Sequence, residues 1–259
     1  MAIDLNSDVG EGFGSYRLGD DGLVLKAVTS ANVACGFHAG DPRVMRITVG
    51  LAARLGVEVG AHPGYPDLVG FGRRDMSLSP DEVHDDLVYQ IGALWAFARR
   101  QGVRLTHVKP HGALYNRAAT DRPVADAIAS AVRSLDMGLI LVGLAGSELC
   151  AAGMRAGIPV AGEAFADRAY KPDGTLVPRS RQGAVISDQA QVVKRAVSIA
   201  RDHVVETADG GKIPVVARTI CLHGDTRQAA ELAMAVRRGL SEAGVEVRPL
   251  SVVVGGGGE

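Results

Sequence analysis

Residues 31–42, Ala-Asn-Val-Ala-Cys-Gly-Phe-His-Ala-Gly-Asp-Pro, decide the fold. The apolar run 31–35 reads as a short buried strand. It stops at Gly36, presents His38 and turns at Gly40. Asp41-Pro42 then opens a helix, because an Asp side chain accepts the free N–H groups of a first turn and Pro suits the first helical position. One β-to-α unit is written in a single line, with an imidazole at the joint. The same joint recurs at Ala61-His62-Pro63-Gly64, Pro110-His111-Gly112 and Leu222-His223-Gly224. In parallel α/β proteins the carboxyl ends of the strands gather at one face, where ligands bind. Four imidazoles from separate strands are therefore expected around one pocket, and imidazole is the side chain best suited to proton transfer and metal binding near neutral pH.

Outward from this unit, strand-like and helix-like segments alternate. Strands are expected at 3–9, 31–35, 57–61, 105–109, 139–143, 158–162 and 215–222, with a last one at 245–254. Helices are expected at 21–29, 41–55, 79–101, 121–135, 146–156, 187–203 and 225–243. Asp209-Gly210 marks a hairpin turn. Long loops cover 62–78 and 163–183. Seven or eight such units imply a parallel sheet with right-handed crossovers. A barrel places every strand end round one mouth; a doubly wound open sheet would use fewer of them, and the many polar strand ends favour the barrel. Residues 1–254 are expected to form one domain, with the glycine-rich tail 255–259 disordered.

Bulk properties narrow the class. The chain has 259 residues, 47% of them hydrophobic, and a formal net charge of -1. That composition supports a large core and gives no basic footprint for nucleic acid. The three cysteines form no CxxC pair and no disulfide framework, which fits a reducing compartment. No signal-peptide pattern and no apolar stretch of about 20 residues is present, so a cytoplasmic protein without a membrane partner is expected.

Candidate chemistry starts in the first strand, where Asp4, Asn6 and Asp8 interrupt an apolar pattern. Period-two alternation points all three the same way, into the barrel, with Glu11 just beyond at the mouth. A buried carboxylate is costly unless a partner or a metal compensates it. Asn32 is placed to orient a substrate. Cys35 reads either as a nucleophile or as a small buried residue. The loop after His62 holds Tyr65, Asp67, Arg73 and Arg74; the paired arginines either clamp a phosphate or carboxylate or form a solvated surface pair. Lys109, at a strand end, either neutralises developing negative charge or pairs with a neighbouring Asp. Glu163, Asp167, Arg168 and Tyr170 share one segment. Asp225, beside His223, serves either catalysis or the cap of the next helix. His84, His107 and His203 read as ordinary. There is no HExxH, GxSxG or P-loop. From the residues alone the chain reads as a barrel hydrolase or lyase using His and Asp/Glu, with or without a divalent metal.

Seven segments together resemble the LamB/YcsF family: DLNSDVGEGFG from Asp4, SANVACGFHAGDP from Ser30, GAHPGYPDLVGFGRR from Gly60, VKPHGALYN from Val108, EAFADRAY from Glu163, LVPR from Leu176 and ICLHGD from Ile220. They run in order across nearly the whole chain. The resemblance implies a distorted (β/α) TIM-like barrel of the glycoside hydrolase/deacetylase type with seven barrel strands. It also implies ATP-dependent hydrolytic ring opening of 5-oxoproline to L-glutamate, carried out with 5-oxoprolinase subunits B and C. On that basis Asp8 or Glu11 is expected to act as base or metal ligand beside His38 and His62, with a divalent metal such as Mg2+ on Asp8, His38 and His62. Lys109, Arg73 and Arg74 would hold anionic oxygens and His111 would act as acid. Asn6, Asn32, Glu163, Asp167, Arg168, His223 and Asp225 would complete the substrate and phosphate contacts. ATP would bind at a site other than a P-loop or with a partner's help. Two rival functions stand beside this one: a metal-dependent carbohydrate deacetylase, and a non-catalytic regulatory component that binds carboxylates.

Overall fold

The structure is a computed structural model that describes residues 1–222 and 229–256. Strands β1 (Ala2–Val9), β2 (Ser30–Ala34), β3 (Glu58–His62), β4 (Leu105–Val108), β5 (Ile140–Leu144) and β6 (Val160–Phe165) follow one another in chain order. All pair in parallel, each with the next. The hairpin β7 (Val204–Glu206) and β8 (Lys212–Pro214) stands outside this sheet, around the expected Asp209-Gly210 turn. Strand β9 (Thr219–Cys221) then pairs with both β6 and β1, which closes a barrel of seven parallel strands. Closure fixes the register: Asp4 lies opposite Thr219, and Asp8 opposite Asn32.

Helices cover the outside. Helix α2 (Pro42–Leu55) starts at Asp41, whose side chain accepts from the Arg43 and Val44 amides, and stops at left-handed Gly56. Helix α3 (Pro80–Arg100) opens with a reciprocal Ser79–Glu82 capping box and buries Val83, Leu87, Ile91, Leu94 and Ala98, a helical-period stripe. Helices α5 (Arg122–Leu135), α6 (Glu148–Ala156), α7 (Gln189–Val197) and α8 (Ala229–Glu242) continue the outer ring. A single π-type turn, Ser198–Asp202, extends α7.

Three expectations are corrected. The segment 21–29 forms only a short helix, α1 (Asp21–Val24), before a turn. A helix absent from the sequence reading, α4 (Gly112–Ala118), follows β4 directly. The expected last strand is two residues long, β10 (Glu246–Val247), paired to the start of β1. Pro249, which has no amide hydrogen to donate to a ladder, then opens helix α9 (Leu250–Gly255). Leu250 packs on Ile140, Val142 and Ala161, and Ser251 binds the Glu58 carboxylate, so α9 lies across the amino-terminal end of the barrel. No helix among the described residues is long and apolar enough to cross a membrane. The expected disordered tail falls mostly outside the described residues; its first member, Gly255, ends α9.

Candidate active site at the barrel mouth

The barrel interior is a polar column in three layers. At the bottom, Asp4 accepts hydrogen bonds from the hydroxyls of Thr29 and Ser30, both at 2.7 Å, and from Thr219. Burial nevertheless pushes its carboxyl up to about 7. In the middle layer, Asn6 Nδ2 donates to Glu163 Oε1 at 2.9 Å, and Asn32 Nδ2 donates to Asn6 Oδ1 at 2.7 Å. His107 Nε2 lies 2.9 Å from Asn32 Oδ1. An amide oxygen only accepts, so this nitrogen carries the proton. Burial lowers His107 to about 3 and keeps the ring neutral. The sequence reading placed His107 among the ordinary histidines; here it props Asn32, whose Nδ2 also reaches Asp8 Oδ1 at 2.9 Å.

The top layer is a buried ion cluster. Lys109 Nζ lies 3.0 Å from Asp8 Oδ1, 2.9 Å from Glu163 Oε1 and 3.0 Å from Cys221 Sγ. Burial disfavours the ammonium, but Asp8, Cys221 and Glu163 outweigh that penalty and hold its pKa well above 10.5. Glu163 is fixed from its other oxygen by the Tyr115 hydroxyl at 2.7 Å. Of the two readings of Lys109, the pairing with Asp8 is present, and the residue also lines the cavity. Burial drives the Cys35 thiol up to about 12, which makes it a packing residue rather than a nucleophile.

Above this cluster three imidazoles meet Glu11. His38 stacks on His111 with ring centroids 3.8 Å apart, and Phe71 stands edge-on to both rings. His62 Nδ1 lies 2.7 Å from the Lys109 carbonyl, and His111 Nε2 lies 2.8 Å from the Phe71 carbonyl. Carbonyls only accept, so both of these nitrogens carry protons, placed there by the main chain. The remaining nitrogens, His62 Nε2 and His111 Nδ1, face each other at 2.9 Å. Asp8 Oδ2 lies 3.3 Å from that His62 nitrogen, and Glu11 Oε1 lies 3.6 Å from that His111 nitrogen. Neither ring nitrogen of buried His38 has a hydrogen-bond partner among the described residues. Burial, reinforced by neighbouring imidazoles, holds His38 and His111 well below 6.5. One ligand atom from each of Glu11, His38, His62 and His111 lies within 4.8 Å of the others, so this cluster could hold a metal ion. This cluster contains His38 and His62 of the expected set and Glu11, the alternative to Asp8, and adds His111; Asp8 is engaged through Oδ1 by Lys109 and Asn32, with Oδ2 beside His62. The loop that carries Phe71 approaches so closely that a Cβ on Gly72, at φ 62°, would stand 2.8 Å from the His111 ring.

A cavity of about 360 Å³ opens over these groups. Of the expected residues, Asp8, Glu11, His62, Arg73, Lys109, His111 and Arg168 line it. His38, Asn6, Asn32 and Glu163 lie buried behind or beneath that lining and support it. Arg74 points away: its side chain is 66% exposed and grips Asp67, whose carboxyl it holds down to about 2. The surface-pair reading thus describes Arg74, while Arg73, also exposed, lines the cavity with its guanidinium over the Phe71 ring. Asp167 is buried and is not among the described residues that line the cavity. His223 and Asp225 lie outside the described residues. The cavity also takes in Tyr115 and Arg179, which the sequence reading did not single out. Tyr115 sits on the helix it missed, and Arg179 ends the LVPR segment, which enters the sequence reading for its family resemblance and not for a role at the site.

Comparison with known proteins accords with this geometry. The sequence matches the LamB/YcsF family over residues 3–255. The chain belongs to the LamB/YcsF family. A relative from Bacillus subtilis, the 5-oxoprolinase A subunit of that organism, is 53% identical over 249 residues, 96% of this chain and 97% of that protein. The crystal structure of a lactam utilization protein from Thermus thermophilus superposes with a TM-score of 0.90 at 50% identity, covering 96% of this chain and 99% of that one. A deacetylase solved with substrate shares the barrel at a TM-score of 0.50 and 13% identity, covering 98% of this chain and 91% of its own, a likeness of fold alone.

Proposed function

We propose that this LamB/YcsF protein opens the lactam ring of 5-oxoproline to give L-glutamate, in an ATP-coupled assembly with subunits B and C. The observation that carries this reading is the buried Lys109–Asp8 pair beside Glu11 and the carbonyl-locked imidazoles, in a chain similar over its full length to the 5-oxoprolinase A subunit of Bacillus subtilis. A five-membered lactam is a stable amide. Its hydrolysis needs a base for water, a cation for the oxygen that gains charge and a proton for the departing nitrogen. Asp8 and Glu11 supply carboxylates at the cavity floor. Lys109 supplies a buried ammonium, worth more there than in water. His111 fits a different part from the expected acid: its Nε2 proton is committed to Phe71 and its ring is neutral, so Nδ1 accepts a proton or binds a cation before it gives one. Glu11, His38, His62 and His111 would hold a divalent metal, which when bound would polarise the amide oxygen or lower the pKa of water. The nitrogen-rich donor set suits zinc better than Mg2+, which prefers oxygen ligands.

ATP is assigned to the assembly. The cavity lies near the low end of the range for small-molecule sites, a size that favours the lactam over a whole nucleotide. Coupling would phosphorylate the lactam oxygen, making the carbonyl carbon electrophilic; water adds, the ring C–N bond breaks with protonation of nitrogen to leave an acyl phosphate, and a second water releases phosphate and glutamate. The test mixes the chain with subunits B and C and follows glutamate and phosphate release. Asp8→Asn and His62→Ala should each lower turnover by about a hundredfold or more while circular dichroism stays unchanged. Near-normal turnover in both overturns the reading. Stoichiometric metal in the purified chain, with deacetylation of an acetylated sugar and no glutamate formation, would support the deacetylase alternative instead.

A further inference from the structure

The cavity has a second character that the ring chemistry does not use. Its floor is carboxylate and imidazole, but its outer wall carries three guanidinium groups, Arg73, Arg168 and Arg179. They come from two loops, Arg73 from the one after β3 and Arg168 and Arg179 from the one after β6. Arg168 is buried and spends Nε on the Ala184 carbonyl, at 3.2 Å, and one terminal nitrogen on the Val177 carbonyl, at 2.7 Å. Those bonds hold the 177–184 loop, and Arg179 with it, over the cavity. Arg195 in turn donates to the carbonyls of Ala166, Arg168 and Glu206 at 2.9–3.1 Å, bracing the chain that carries Arg168. Among the described residues neither Arg168 nor Arg179 is hydrogen-bonded to a carboxylate. Burial lowers Arg168 to about 10, and the charges of Arg179 and Arg73 add to the effect. The neighbouring Asp167 charge opposes this shift without cancelling it, so an anion at the wall would gain from Arg168 and Arg179 together.

We propose that Arg73, Arg168 and Arg179 form an oxyanion subsite that takes the carboxylate of the substrate and turns its lactam carbonyl toward the Asp8–Lys109 floor. The guanidinium fork matches planar carboxylate and phosphoryl oxygens alike, so the same wall would also accept a phosphoryl group. The floor, rich in carboxylates and lone pairs, repels an anion and leaves the wall as the place for the charged end. This inference rests on the ring-opening reading and adds to it a selectivity: carboxylated lactams over uncharged ones.

Calorimetric titration of the full chain with 5-oxo-L-proline, 2-pyrrolidinone and inorganic phosphate tests it, using wild type, Arg179→Met and Arg179→Lys. The Arg179 side chain is half-buried and makes no hydrogen bond or ion pair among the described residues, so these variants should keep the wild-type melting temperature. Wild type should bind 5-oxo-L-proline at least about tenfold more tightly than 2-pyrrolidinone. Arg179→Met should lose most of that difference, and Arg179→Lys should retain part of it. Tight 5-oxo-L-proline binding that Arg179→Met leaves unchanged overturns the subsite and leaves the ring-opening reading standing. Phosphate binding that depends on Arg179, without competition from 5-oxo-L-proline, supports the wall with phosphoryl as its source and removes the lactam assignment. Failure of all three probes to bind wild type overturns the subsite.

Discussion

Gly60 offers a sharp test of how the barrel interior controls its mouth. It lies in β3 against the flat of the His107 ring, and a Cβ added there would stand 2.1 Å from His107 Cδ2 and Nε2. Cβ atoms essentially never approach a neighbour within 3.0 Å, so in Gly60→Ala the ring must retreat by about 1 Å. It has nowhere free to go. His107 is fully buried, with Thr106 Oγ1 2.8 Å from one nitrogen and Asn32 Oδ1 2.9 Å from the other. Overpacking of a tight core costs about 1–3 kcal/mol, and loss of the Asn32 hydrogen bond adds about 1 kcal/mol. The expected destabilisation is about 2–4 kcal/mol, a fall in melting temperature of about 5–15 °C. Asn32 also holds Asp8, so turnover should fall more than stability at the assay temperature explains. Gly92→Ala is the control. Its Cβ meets nothing within 4 Å, and the helix interior of α3 favours alanine by about 1 kcal/mol. Scanning calorimetry of both variants decides. A Gly60→Ala protein melting within about 1 °C of wild type would refute the argument that the ring is locked.

Further expectations follow from the ion cluster and the loops. Lys109→Met leaves the buried carboxylates of Asp8 and Glu163 without their ammonium and should cost about 3–5 kcal/mol in denaturant unfolding. Lys109→Met combined with Glu163→Gln should be less destabilised than Lys109→Met alone; a more unstable double variant contradicts the pairing. Asp4 has its folded pKa raised from 3.8 to about 7, so its stabilising share is complete below pH 4 and disappears as pH climbs to about 7. Asp4→Asn should therefore gain on wild type across that window, by up to about 4 kcal/mol, and parallel melting-temperature curves from pH 5 to 8 would exclude the effect. Arg74→Ala removes an exposed guanidinium and should leave the melting temperature near the wild-type value, with substrate affinity by titration unchanged. Elemental analysis of the purified chain should find about one divalent ion, lost in a His62→Ala, His111→Ala double variant; equal metal in both would place the ion elsewhere.

What the sequence discloses here is set by range. The strand–imidazole–glycine joints are local patterns, and they locate His38, His62 and His111 because each is read within its own few residues. Asp4, Asn6 and Asp8 share a face by period two alone, so their common direction is legible without any partner. The partners are not. His107 gains its role from Asn32, 75 positions away, and nothing beside it in β4 marks that contact. Tyr115 lies on α4, whose start at left-handed Gly112 reads as a turn. Arg73 and Arg74 are adjacent and chemically alike, yet one faces the cavity and the other Asp67; only the path of the loop separates them. The valine-rich stretch 252–254 has strand propensity and still forms a helix, because Pro249 ends the ladder and Leu250 finds its place against Ile140 and Val142.

Phe71 adopts φ 55°, a left-handed conformation that a bulky side chain seldom takes. That twist aims its carbonyl at His111, and with the Lys109 carbonyl it dictates which edge of each ring is basic. The acid–base grammar of the pocket is therefore spelled by main-chain oxygens, which no change of side chain at either position can delete. Anyone wishing to retune this chemistry must reshape the 70–73 segment itself. The lever is a dihedral angle, and the amino-acid alphabet reaches it only indirectly.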